Sequence, residues 1–391
     1  MKILFVTLSA LEVNTSVTKS NIGLLRGLKG LGHDVTILMP EVNKDAYYYD
    51  ASYDLSSFNI IRLTAGGFTQ SLANSNAKAT GSFKKKLFMT LRSVYKYFTI
   101  FERSTKDYVK QLDGIGIKDT IFDVVISTSD PKVSHLFVKK AIEHGLKCSK
   151  WIQHWGDPLS SDISRKSFYP RWVFQIIESY LYKNANRIVF VSPFTAEEQK
   201  VSHKKYADRI SFAPLIADEP KKESKDYVFK KGGFLNVAYM GDYNSIIRNI
   251  MPLYNACSEL PFVKLTIAGH SNLSLSSQSN ITVNKRLPSS EASVIESNAD
   301  VIVSIANLKG TQIPGKIYYL ASTNKIIMIA MENDNKEGML KYLNSYNRFI
   351  TCDNTTESIK SLLKRINETE RPHYETPNNL LAVEIVSSIL A

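Results

Sequence analysis

The chain has 391 residues, 43% hydrophobic and 22% charged, a composition that excludes a disordered or collagen-like chain and a polytopic membrane protein. Three scattered cysteines (Cys148, Cys257, Cys352) exclude a disulfide framework and a Cys-x-x-Cys metal site and point to a reducing compartment. The net charge of +12 is one-sided, with 30 Lys+Arg against 19 Asp+Glu in residues 1–213 and 19 against 18 beyond, which predicts a polyanionic partner for the first half unless the charge serves solubility alone.

The opening run ILFVTLSAL behind Lys2 has the outline of a secretory signal, but residues 22–40 argue against one. Ile22, Leu25, Leu28 and Leu24, Leu28, Leu31 stand at helical spacing, and the turn Leu31-Gly32-His33-Asp34 leads into the strand-like VTILMP. The order is β-α-β, so the run is expected to be the first buried strand of a parallel sheet, apolar throughout because both its faces are covered. Further strands are predicted at residues 59–63, 122–127, 150–154 and 187–192, with helical patterns between them.

Residues 84–110 predict a basic amphipathic helix. Leu87, Leu91, Val94, Phe98, Phe101 and Val109 fall on one face and Arg92, Lys96, Arg103 and Lys110 on another. With Lys84, Lys85 and Lys86, the cations Arg92, Lys96 and Arg103 are the expected contacts to an anionic membrane surface. The alternative is a helix that packs its apolar face and leaves its charges in water.

Residues 214–233 lack apolar periodicity and read as a linker. Strands then resume at 235–240, 264–268, 280–283 and 299–305. The expected fold class is α/β, with two Rossmann-like, doubly wound parallel-sheet domains over 1–213 and 234–370 and a ligand-binding cleft between them. No stretch reaches the length of a membrane span, so a cytoplasmic or peripheral location is expected.

The segment GTQIPGKIYYLASTNK (310–325) carries the strongest chemical signal. Pro314 and Gly315 stand before a helix-like run whose first-turn N–H groups can face an anion, and Lys316 is a poor choice for a first turn unless it serves that anion too. An ordinary surface lysine beside a Pro-started helix is the alternative.

These segments together resemble a known family. LGHDVTIL (31–38), HWGDP (154–158), NRIVFVSPF (186–194), VAYMGDYN (237–244), LTIAGH (265–270) and ADVIVSIANLKGTQIPGKIYYLA (299–321) follow, in order and spacing, the pattern of GT-B glycosyltransferases. The likeness is to the retaining, bacterial polysaccharide-building members of family four, and it covers nearly the whole chain. It implies retaining transfer from a nucleotide-diphosphate sugar held by the second domain. The acceptor, a glycan or polyprenyl-linked molecule, is held by the first domain at the inner face of the cell membrane. It also implies that residues 371–391 cross back to the first domain.

Carried over by position, Arg248, Lys316 and Gly315 approach the donor diphosphate. Gly241, Gly269, Thr311 and Tyr319 line the donor sugar and nucleotide. His154 meets the transferred sugar or the acceptor, and Asp157 meets an acceptor hydroxyl or caps the following segment. The chain departs from the pattern at Thr311 and Tyr319, where the family has two glutamates, and at Asp242, where it has an arginine. A weakened, sugar-nucleotide-binding member of the same fold is therefore the alternative function. No Asp-x-Asp motif, His-Glu-x-x-His pattern, Walker loop, Gly-x-Gly-x-x-Gly fingerprint or nucleic-acid signature is present, so no metal, cofactor or nucleic-acid partner is expected.

Overall fold

The structure, a computed structural model, describes residues 1–42, 44, 49–50, 52–64, 98, 100–101, 104–163, 167–219, 231–370 and 372–391. The membrane-facing candidates Lys84, Lys85, Lys86, Arg92, Lys96 and Arg103, and residues 220–230 of the expected linker, lie outside the described residues. The chain divides into two compact units, Met1–Pro214 with Ala382–Ala391, and Leu215–Leu381.

Unit 1 is built on a seven-stranded sheet of β1 (Lys2–Val6), β2 (Asp34–Pro40), β3 (Asn59–Leu63), β4 (Ile121–Thr128), β5 (Lys147–Trp155), β6 (Arg187–Phe190) and β7 (Ile210–Phe212). Every pairing is parallel, in the order β3-β2-β1-β4-β5-β6-β7. Ile3, Leu4, Phe5 and Val6 are wholly buried, as a central parallel strand demands. Its described helices are α1 (Ser16–Gly30), α2 (Ser104–Lys110), α3 (Val133–Glu143), α4 (Arg171–Tyr182) and α5 (Pro193–Ser202). Thr15 starts α1 by accepting the Thr18 N–H at 3.2 Å, and Gly32, at φ +73°, makes the turn into β2.

Unit 2 repeats the plan with six parallel strands: β8 (Leu235–Met240), β9 (Val263–Ala268), β10 (Ile281–Asn284), β11 (Val301–Ile305), β12 (Ile326–Met331) and β13 (Ile350–Asp353). Their order is β10-β9-β8-β11-β12-β13. The helices are α6 (Met251–Ser258), α7 (Ser289–Asn298), α8 (Lys316–Leu320), α9 (Lys336–Asn344) and α10 (Thr356–Glu368). Strand order reverses between β8 and β11 as it does between β1 and β4, and in such sheets ligands bind beyond the strand carboxyl ends at that reversal.

The last helix, α11 (Ala382–Leu390), belongs to unit 1 and packs on α1. A side chain at Gly27 would meet the Ala382 carbonyl oxygen at 2.4 Å, so the glycine permits this close approach. At the far end of α11, Lys150 Nζ donates to the Leu390 carbonyl at 2.6 Å and Arg187 to that of Ser388 at 2.7 Å. Two cations thus satisfy carbonyls that a helix C-terminus leaves without partners.

Candidate functional site in unit 2

The carboxyl ends of β8, β9 and β11 bring together most of the predicted donor-site residues. Gly241 follows β8 and Gly269 follows β9, and a side chain at Gly269 would lie 1.9 Å from the Gly241 carbonyl oxygen. Gly269 is therefore required for backbone to pass against backbone. Gly241 is not crowded, since a side chain there would meet nothing closer than the Tyr239 phenol at 3.8 Å.

Arg248 and Lys316 reach this edge from different loops. Arg248 Nε donates to Asn307 Oδ1 at 2.8 Å, and the Leu308 N–H donates to the Ile247 carbonyl at 2.8 Å, which ties the loop after β8 to the loop after β11. Lys316 Nζ donates to the Met240 carbonyl at 2.5 Å and pairs with Glu296 of α7. Beside Arg248, burial pushes the Tyr239 phenol up to about 12, opposed by the Arg248 charge. The edge thus carries two cationic side chains, each held by contacts within the unit. Asp242, the acid standing where an arginine was expected, accepts the His270 N–H at 2.9 Å and lies 3.7 Å from Arg286. Its charge is engaged by the loop itself.

One expectation fails in detail. The predicted helix after Pro314 is five residues long, and its Ile317 and Tyr318 N–H groups donate to the Pro314 and Gly315 carbonyls at 3.3 and 3.2 Å. These two groups are used within the turn. Gly315 faces packing, because a side chain there would lie 2.7 Å from Leu215 Cδ1. Thr311 is half-buried in the loop before α8. Tyr319 is buried, and its carbonyl accepts the Asp218 N–H at 3.4 Å.

His154 and Asp157 belong to unit 1. His154 stands near the end of β5, directly opposite Thr128 of β4, and is 2% exposed. Among the described residues, its Nδ1 and the Thr128 hydroxyl are buried without a hydrogen-bond partner. Asp157 is half-buried in the turn after β5. Sequence reading missed Glu178, which holds the chain just beyond this turn: its wholly buried carboxylate accepts the Leu159 and Ser160 N–H groups at 2.6 and 3.0 Å and faces His203 Nε2 at 3.0 Å. The available signal was an acid on the apolar face of α4, one turn from Phe174.

Burial pulls the His154 imidazole down to about 4, so it is neutral near pH 7. An unfolded histidine protonates near 6.5, so on acidification the unfolded state takes up the proton first. The associated stability is full above pH 6.5 and is lost as pH falls toward 4, by up to about 3 kcal/mol. His135, lowered first by its own burial, adds to the same window. Urea unfolding at pH 7.5, 5.5 and 4.5 should show a shallower fall for H154Q than for the natural chain; equal slopes assign the proton uptake elsewhere.

No protein-family model matches this chain, and no curated protein is similar to it in sequence. Solved structures are similar in fold over its full length. Sucrose-phosphate synthase from Thermosynechococcus elongatus shares 13% identity at a TM-score of 0.58, over 99% of this chain and 94% of that one. The Anabaena protein HepE, solved with UDP and glucose, shares 11% at 0.57, over 99% and 95%. The lipopolysaccharide outer core galactosyltransferase WaaB shares 11% at 0.53, over 100% and 99%. At this identity the likeness establishes the fold alone, two parallel-sheet α/β domains of the GT-B type. Among the described residues no cluster of three or more His, Cys, Asp or Glu side chains is arranged to hold a metal ion.

Proposed function

We propose that this protein is a glycosyltransferase that binds a nucleotide-diphosphate sugar on unit 2 and transfers its sugar to a hydroxyl of a glycan or polyprenyl-linked acceptor bound by unit 1. The observation that carries the reading is the pair Arg248 and Lys316 at the carboxyl ends of β8 and β11, on a fold shared with a structure holding UDP. As the glycosidic bond breaks, the leaving nucleoside diphosphate gains negative charge. Cations already tied to Asn307 and the Met240 carbonyl stabilise that charge with little reorganisation.

In unit 1 the end of β5 is the acceptor side, with His154 beside the transferred sugar or the acceptor and Asp157 accepting from an acceptor hydroxyl. Transfer proceeds with retention of anomeric configuration and without a metal. The basic charge of the first half holds the enzyme at an anionic membrane face, where a lipid-linked acceptor resides.

A screen of nucleotide-sugars by thermal shift tests the donor assignment, because a ligand that binds only the folded state raises its stability. K316A should weaken nucleoside diphosphate binding about ten- to a hundredfold, the loss of one charge-assisted contact of about 1.5–3 kcal/mol. Undiminished affinity in K316A refutes the clamp. Nucleotide binding without nucleoside diphosphate release, across a panel of acceptors, would assign the chain to sugar-nucleotide binding alone.

A further inference from the structure

Unit 1 exposes an apolar stripe that the proposed chemistry does not use. On α4, Trp172, Ile176 and Tyr180 stand four residues apart, on one face, and are 61%, 60% and 42% exposed. The stripe continues into Phe168, itself 61% exposed, whose ring packs against that of Phe98 at 5.3 Å. Scattered exposed apolar residues are ordinary on a protein surface, but a contiguous row of aromatic and branched side chains marks an interaction site.

The charges around the row select the partner. The only acid of α4, Glu178, is turned into the core and spent on the loop after β5. The exposed face carries Arg171 at its start and Lys183 just beyond its end, and no carboxylate. Beside Tyr180, Lys139 lies 4.6 Å from the ring. Among the described residues, Glu198 pairs with Arg171 and Glu143 pairs with Lys139 and Lys140. The patch therefore keeps a positive balance, within a first half that carries 30 basic against 19 acidic residues.

Apolar side chains in a row, tryptophan and tyrosine among them, with a cation at each end and more cations than acids beside them, are what a helix lying in a lipid interface presents. The rings enter the headgroup boundary while Arg and Lys reach the phosphates. A protein partner would be met as well by a neutral rim; the cationic ends favour an anionic surface.

We infer that the α4 stripe of Trp172, Ile176 and Tyr180, with Phe168, is a docking surface for an anionic phospholipid bilayer, inserted at headgroup depth. This rests on the membrane-facing part of the proposed function and names the element that makes the contact.

The chain provides its own reporter. Of its three tryptophans, Trp151 and Trp155 are buried and Trp172 is exposed. Full-length protein is mixed with vesicles of phosphatidylglycerol and phosphatidylcholine, or of phosphatidylcholine alone, and followed by tryptophan emission, quenching by brominated acyl chains and cosedimentation. Expected are a blue shift and quenching with the anionic vesicles, weakened by salt. In I176E/Y180E, partitioning should fall about tenfold or more. The variant should stay folded, and its nucleotide-sugar thermal shift should be unchanged, since neither position belongs to the donor site on unit 2.

Absence of vesicle binding overturns the proposal. So does binding with no change at Trp172, or binding that falls in R92E/K96E/R103E but not in I176E/Y180E. Shielding of Trp172 as protein concentration rises without lipid assigns the stripe to a second copy of the chain and overturns it too. Failure of all nucleotide-sugars to bind, beside an intact lipid response, defeats the transferase reading and leaves this surface standing.

Discussion

Replacing Gly269 with alanine is expected to destabilise unit 2 by on the order of 4 kcal/mol and to abolish nucleoside diphosphate binding. The added carbon would lie 1.9 Å from the Gly241 carbonyl oxygen, 2.6 Å from the carbon that bears it and 3.1 Å from the Asp242 nitrogen. All three are backbone atoms, so no rotamer change relieves the overlap. The backbone is also pinned from both sides. The Gly241 N–H donates to the Ala268 carbonyl at 2.9 Å, that of Tyr243 to the His270 carbonyl at 3.0 Å, and that of His270 to Asp242 Oδ1 at 2.9 Å. Relief requires the loop after β8 to separate from the loop after β9, and Arg248 lies on the first of these. G241A is the comparison, because its added carbon meets nothing closer than 3.8 Å. Urea midpoints and nucleoside diphosphate titrations should therefore separate the two variants widely. A G269A protein as stable as G241A would show that the two loops do not pass at backbone contact.

That contrast between two glycines also shows what the sequence could reveal. Both stand after apolar strands in VAYMGDYN and LTIAGH, and both were legible as strand-end glycines. Which one is crowded depends on a neighbour 28 residues away and leaves no trace in a local pattern. The two Rossmann-like sheets were legible for the same reason as β8 and β9: continuous apolar runs of strand length alternate with helical spacing. Three strands were not read. β7 is only three residues, ISF, and β13 is four, ITCD, with a terminal acid. β12, IIMIAM, follows KIYYLASTNK without a strong breaker, so its apolar run merges with the helix-like segment before it.

The site was legible in its residue types and not in their partners. Lys316 stood out as a cation in a first turn, yet its companions are the Met240 carbonyl, 76 residues away, and Glu296 on α7. Asn307, which orients Arg248 from 59 residues away, drew no attention because a single asparagine after a strand has no signature. Asp242 looked like a disruption of phosphate chemistry when read as a substituted position. Its hydrogen bond to His270 shows an acid that shapes the loop between β8 and its neighbour.

Replacing Arg348 with alanine is expected to cost unit 2 about 3–5 kcal/mol, because its guanidinium is wholly buried and organises the segment between α8 and β12. Arg348 Nε donates to the Ala321 carbonyl at 2.8 Å, and one terminal nitrogen donates to those of Thr323 and Lys325 at 2.5 and 3.0 Å. The Tyr374 ring covers it at 4.4 Å, and the Tyr374 N–H donates to Asn324 Oδ1 at 3.0 Å, which closes the turn from the other side. The three carbonyls come after α8, so one planar cation fixes where that five-residue helix ends and thereby where Lys316 begins it. Three variants separate the contributions. R348A should lose the packing, the charge and all three hydrogen bonds. R348M restores most of the volume but leaves the carbonyls without a donor, and should remain within about 1 kcal/mol of R348A. R348K keeps the charge, yet a single ammonium cannot span three carbonyls in the guanidinium plane, so it should recover only part of the loss. Each variant should also bind nucleoside diphosphate more weakly even under conditions where it is fully folded, since Lys316 is no longer held in place. A methionine variant with the stability and affinity of the natural chain would mean that packing alone orders the segment, and that Lys316 is positioned by its own contacts to Met240 and Glu296.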